Sequence, residues 1–102
     1  MSEMLKSFNP ADGSSVGEVR KTPVEEINEI VKRSAAAQKK WAALSIDERM
    51  SILQRAGQVL AAEAQEIGRL LSMEMGKSWR RAVGEVGGSA KSISYVASAV
   101  KD

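Results

Sequence analysis

Apolar residues in this chain fall into one short aperiodic segment and then long stripes at helical spacing. The short segment spans residues 1–21. Phe8 precedes Asn9-Pro10-Ala11-Asp12-Gly13-Ser14-Ser15, a dense cluster of turn formers, and Val16 and Val19 follow it. This pattern predicts a β-hairpin with Asp12-Gly13 near its tip. Two short strands are marginal alone in water, so the hairpin needs something to lean on.

From residue 22 the period changes. Thr22-Pro23-Val24-Glu25 reads as a capping box with Pro at the first helical position. Val24, Ile27, Val31, Ala35, Gln38 and Trp41 then form a stripe with one polar interruption, predicting a helix that ends near Leu44. A second capping box, Ser45-Ile46-Asp47-Glu48, opens the next helix, whose apolar face runs through Met50, Leu53, Ala56, Gly57, Leu60, Ala64, Ile67 and Leu71. That length predicts a break or bend near Ala61-Ala62-Glu63. Gly76 suits the residue just past a helix end, with Lys77 beside the negative helix terminus.

Ser78 can cap the last helix, striped by Trp79, Val83, Val86, Ala90, Ile93, Ala97 and Val100. Gly84, Gly87 and Gly88 lie inside it, each costing up to about 1 kcal/mol of helix propensity relative to Ala. Three such glycines predict the close approach of another backbone, or else a weak or kinked helix. Residues 94–102 stop while still apolar and periodic, as though a chain had been cut inside or just after a helix. The expected architecture is mainly α: an N-terminal β-hairpin (1–21) followed by three to four amphipathic helices (22–102), together one partial domain.

Composition narrows the function. The 102 residues are 43% hydrophobic and 27% charged, as in a soluble globular chain, and aromatics at 4% leave the core to aliphatic residues and Ala. Fifteen basic and 13 acidic residues are interspersed with a net charge of +2, which argues against a nucleic-acid partner. No apolar run approaches the ~20 residues needed to span a bilayer, so no membrane partner is expected, and a cytoplasmic location is the default.

The chemistry is thin. There is no Cys and no His, hence no thiolate nucleophile, no disulfide, and neither the commonest metal ligand nor the commonest general base. Ser–Lys chemistry is left open, but no serine sits in a Gly-x-Ser-x-Gly elbow. Asp47-Glu48 reads as helix N-terminal charge, and Glu63/Glu66 as a solvated face. The stretch Gly84-Glu85-Val86-Gly87-Gly88 follows a helix start rather than a strand, so it is not a dinucleotide fingerprint. Arg49, one turn inside a capped helix, reads as a surface ion-pairing residue or as a clamp between helices.

The order of these features resembles one family. Asn9-Pro10-Ala11-Asp12-Gly13 with Val16-Gly17-Glu18-Val19 resembles the opening of the NAD(P)-dependent aldehyde dehydrogenases. Ala35-Ala36-Ala37-Gln38-Lys39-Lys40-Trp41 is similar to their first helix. Asp47-Glu48-Arg49 with Ile52-Leu53 also fits, though Ile46 stands where proline is common. Glu74-Met75-Gly76-Lys77 fits with Ser78 replacing a usual proline, and Arg81-Ala82-Val83-Gly84-Glu85-Val86 and Tyr95-Val96-Ala97 complete the match. The Glu74–Lys77 motif resembles semialdehyde dehydrogenases, the succinate-semialdehyde enzymes among them.

The resemblance implies an N-terminal segment of an enzyme that oxidises an aldehyde to a carboxylic acid with NAD or NADP. In that family a cysteine attacks the aldehyde, hydride passes to the coenzyme, and a glutamate-activated water releases the acid. Those groups lie beyond this segment, so the resemblance transfers no catalytic, cofactor-binding or metal residue to it. Some members bind a monovalent cation with a carboxylate near the position of Glu85; structural pairing of Glu85 is the simpler role. The implied partners are the remainder of the parent enzyme and, through exposed apolar helix faces, further copies of the chain in a homo-oligomer. A fragment of this kind is expected to be inactive alone. The alternative is a stand-alone helical interaction module derived from the family.

Overall fold

The computed structural model describes residues 3–100. Met1, Ser2, Lys101 and Asp102, and with them the very end of the apolar C-terminal run, lie outside the described residues. The elements are β1 (Met4–Phe8), β2 (Ser15–Arg20), α1 (Val24–Ala43), α2 (Ile46–Ala62), α3 (Ala64–Met75) and α4 (Trp79–Ala99).

β1 and β2 form the predicted antiparallel hairpin, with Leu5 opposite Val19 and Lys6 opposite Glu18. Asp12 and Gly13 sit at the tip. Gly13 takes φ 74°, which favours glycine, and the Asp12 carboxylate accepts from the Ser14 backbone N–H at 2.9 Å and its hydroxyl at 2.6 Å. These bonds hold the Asp12 carboxyl below its usual range, the Ser14 hydroxyl contributing most. The hairpin leans on α3.

α1 begins one residue later than its sequence signal. Pro23 is extended at ψ 145° and occupies the cap position, and no side chain caps the helix. Thr22 is thereby pushed outside the capping geometry, so the predicted Thr22–Glu25 box does not form. Glu26, now third in the helix, pairs with Arg20 instead, both guanidinium nitrogens facing its two carboxylate oxygens. This pairing lowers the Glu26 carboxyl and raises the Arg20 guanidinium.

α2 starts where predicted. Ser45 Oγ accepts from the Glu48 N–H at 3.1 Å, and the Glu48 carboxylate accepts from the Ser45 N–H at 2.8 Å. The break after Ala62 is also present. Glu63 has φ −96° and ψ 7°, and α3 resumes at once. The bend lets two helices follow one partner, because both α2 and α3 pack against α4 while touching each other little.

α4 is therefore the spine. Its buried residues are Ala82, Val86, Ala90 and Ala97, opposed by Met50 and Gly57 of α2 and Gly68 of α3. A Cβ on Gly68 would lie 2.8 Å from both Cα and N of Val83, so here the two helical backbones nearly touch. Gly57 faces the Ala90 carbonyl at 3.3 Å by the same measure. Close approach was expected instead at Gly84, Gly87 and Gly88. A Cβ at each of those meets nothing within 4 Å, and α4 runs through them unbroken. The glycines that matter for packing lie on the helices facing α4.

This packing closes only part of a core. α1 has no buried residue, and Val24 and Val31 are 79% and 60% exposed. The chain exposes 8026 Å², against about 5,600 Å² for a compact monomer of its mass. Its radius of gyration is 17.6 Å, against about 13 Å for a compact domain of this length. One dimension is only 16 Å.

Two outcomes follow for stability, read from loss of helical circular dichroism in urea. Gly68→Ala should destabilise by about 1–3 kcal/mol, because the added methyl meets backbone. Gly88→Ala should leave stability unchanged or raise it by up to about 1 kcal/mol. Equal effects at the two sites would contradict the packing described. The Glu48 carboxyl is held below its ordinary value of 4.5, chiefly by the Ser45 backbone N–H. A lowered folded value means that its contribution is complete above that ordinary value and fades as pH falls through the folded one. The gap in melting temperature between the native chain and Glu48→Gln should accordingly close as pH drops below about 4.5 and stay constant from pH ~6 to 8.

Candidate functional site

The junction of α3, α4 and the hairpin tip gathers the polar residues that the sequence singled out. α3 ends at Gly76, whose φ of 67° and ψ of 14° are left-handed, and the Gly76 N–H donates to the Ser72 carbonyl at 3.0 Å. An L side chain here would be strained by the backbone and crowded as well, its Cβ 3.2 Å from Pro10 Cγ. The left-handed turn thus reverses the chain and seats the hairpin tip against it.

Two side chains lock the turn. The half-buried Ser72 hydroxyl donates to the Lys77 carbonyl at 2.6 Å. The Lys77 ammonium pairs with the Glu85 carboxylate across the first two turns of α4. Ser78 caps α4, its hydroxyl accepting from the Arg81 N–H at 3.4 Å. Beside this junction an open groove of about 490 Å³ lies between hairpin and α3, lined by Leu5, Val16, Val19 and Leu70 with Lys6, Glu18 and Glu74 at its polar margin.

The chemistry available here is positioning. Glu85, the one carboxylate with a candidate cation role, is engaged by Lys77. Among the described residues no three His, Cys, Asp or Glu side chains gather where a metal ion could sit. Glu63 and Glu66 face outward, and Glu48 is committed to its cap. The glycine-rich stretch Gly84–Gly88 is helix interior, with no turn there to cradle a phosphate. No described helix is long and apolar enough to cross a membrane.

Sequence reasoning found Gly76, Lys77, Ser78 and Glu85. It missed Ser72 and the contact between Pro10 and Gly76. The Ser72 bond spans five residues across a helix end, and only a Ser one turn before a glycine stop hints at it. The Pro10 contact joins segments some 66 positions apart, and no local signal marks it.

Comparison with known proteins places this arrangement. The family model described as "Aldehyde dehydrogenase family" matches residues 1–102. The NADP-dependent glyceraldehyde-3-phosphate dehydrogenase of Streptococcus equinus is 40% identical over 95 residues, covering 93% of this chain and 20% of that protein. The mitochondrial succinate-semialdehyde dehydrogenase of Arabidopsis thaliana is 34% identical over 97 residues, 95% of this chain and 18% of that protein. Among solved structures, an aldehyde dehydrogenase from Brucella melitensis biovar abortus 2308 superposes with a TM-score of 0.91 at 36% identity, covering 94% of this chain and 20% of that one. The NADP-dependent glyceraldehyde-3-phosphate dehydrogenase of Bacillus halodurans C-125, complexed with NADP, gives 0.91 at 30% identity with the same coverage. The chain spans about a fifth of the length of these relatives. With a family model matching its whole length and solved members superposing on 94% of it, the chain belongs to the aldehyde dehydrogenase family and corresponds to its N-terminal segment.

Proposed function

We propose that this chain is a scaffold piece of an aldehyde-oxidising, NAD(P)-dependent dehydrogenase, and that it has no catalytic activity by itself. The observation that carries this reading is the surplus surface. About two-fifths more area is exposed than a compact monomer of this mass would leave. Stable domains pack the apolar face of each element against another layer, and here α1 buries no residue at all. The apolar faces of α1, α2 and α4 are shaped to cover a second layer supplied by the remaining four-fifths of the enzyme.

Residues 1–21 and 22–102 act together in this reading as part of one coenzyme-binding domain. NADP is the favoured coenzyme, since two of the relatives are described as NADP-dependent. It would supply hydride acceptance at a site built by the rest of the enzyme. This chain's own residues hold shape: Gly76, Ser72 and the Lys77–Glu85 pair fix the angle between α3 and α4, and the hairpin rides on that angle. Deprived of the second layer, the apolar faces drive association between copies.

The test combines activity and size. The purified chain, given NAD or NADP with small aldehydes and semialdehydes, should form no reduced coenzyme above background at 340 nm. Light scattering should find species larger than the 11.0 kDa monomer. Coenzyme reduction lost on substituting residues of this chain would overturn the proposal. A sharply melting monomer with no exposed apolar surface would instead identify an independent helical module.

A further inference from the structure

The hairpin tip carries a reactive pair that the scaffold reading leaves unused. Asp12 is the only Asp or Asn in the chain that is followed by glycine. In such a pair the next amide nitrogen can attack the side-chain carboxyl carbon, and glycine presents no side chain to block it. Asp12, Gly13 and Ser14 are exposed, and a Cβ on Gly13 would meet nothing within 4 Å. Asn9, also in the tip, is followed by Pro10, whose nitrogen has no proton to give up. Asn28 and Asp47 are held within α1 and α2, and each is followed by a glutamate.

The folded tip restrains both partners of this reaction. Ring closure needs the Gly13 nitrogen to lose its proton and the carboxyl to carry one, so that an oxygen can leave as water. The Gly13 N–H instead donates to the Asn9 carbonyl at 2.7 Å. Asp12 Oδ1 accepts from both the Ser14 N–H, at 2.9 Å, and the Ser14 hydroxyl, at 2.6 Å. Bonds of this kind favour the ionised carboxyl, which is the unreactive form. The Asp12 carboxyl is held below its ordinary value, with the Ser14 hydroxyl as the largest cause.

We propose that Asp12-Gly13 is the isoaspartate-forming site of this chain, held closed in the folded hairpin by the Ser14 hydroxyl and the Asn9 carbonyl. In the first step the Gly13 nitrogen bonds to Asp12 Cγ. The amide proton leaves with the carboxyl O–H as one water, and a succinimide ring remains. Water then opens the ring. Breaking the bond from nitrogen to Cγ restores aspartate. Breaking the bond from nitrogen to the main-chain carbonyl carbon leaves the chain running through Cβ and Cγ, with a carboxylate on Cα. The water lost is regained, so the product has the original mass and one more methylene in its main chain. That extra length enters the turn whose Pro10 sits against Gly76, where the hairpin is seated on the α3–α4 junction.

The test ages the 102-residue chain at pH ~6, where an ordinary Asp carboxyl is mostly ionised but still partly protonated. Samples are kept folded or unfolded in urea. Isoaspartate is followed in the tryptic peptide 7–20 by separating isomers of equal mass, and fragmentation assigns the position. The folded chain should convert at least about tenfold more slowly than the unfolded one. Ser14→Ala should speed conversion of the folded chain at least about fivefold and leave the unfolded rate unchanged. Ser14→Thr keeps a hydroxyl and should retain most of the protection. Equal rates for folded and unfolded chains, equal folded rates for the native chain and Ser14→Ala, or a Ser14→Thr chain as fast as Ser14→Ala would each overturn the proposal. Isoaspartate arising first at another position would overturn it too.

Discussion

The near-contact of two helical backbones, Gly68 of α3 against Val83 of α4, is the constraint on which the rest depends. It sets the distance between those helices below what any side chain at position 68 would allow. That distance lets α4 bury a face made mostly of alanines, Ala82, Ala90 and Ala97. Small residues give close packing but little apolar area apiece, so the fit has to be good over a long stretch of helix. α2 follows the same face only because the chain bends at Glu63. The hairpin is supported by α3, and α1 is tied to the hairpin by the Arg20–Glu26 pair. Each element is thus held by the one before it in a series that starts at Gly68.

Features decided within about four residues were legible in the sequence. The Ser45–Glu48 box, the Ser78 cap, the Gly76 stop, the Asp12-Gly13 tip and the break before α3 are all local devices, and the structure has each of them. The Thr22 box does not form, because the helix starts one residue later with Pro23 at its cap and no side chain capping it. Pro23 sits in extended backbone at the cap position, and Arg20 of the hairpin pairs with Glu26 of the first turn. Contacts between distant segments stayed hidden. Gly68 looks like an ordinary helix glycine until Val83 is placed opposite it, whereas Gly84, Gly87 and Gly88 look like a packing slot that no part of this chain fills. At the junction, Lys77 and Glu85 could be read from their spacing, but the Ser72 bond and the Pro10 contact depend on how the chain returns.

Family membership and the physical reading meet at the surface. A chain of this size with 43% hydrophobic residues has enough apolar material for a core, yet much of it is left facing outward. The stripe of α1 shows this best. It is amphipathic in sequence, helical in structure and buried nowhere. Binary patterning specified the helix and its apolar side without supplying what that side covers. Relatives five times longer, built on the same arrangement, offer the simplest account of why the pattern is there.

The glycines of α4 extend that account. Gly84, Gly87 and Gly88 weaken a helix that otherwise runs for 21 residues, and a Cβ at any of them would meet nothing within 4 Å. They recur at spacings of three and four, so Gly84 shares a face with both Gly87 and Gly88. That face would admit a backbone as closely as Gly68 admits Val83. One side of α4 is filled by α2 and α3, whereas Gly84 and Gly88 lie exposed on the other.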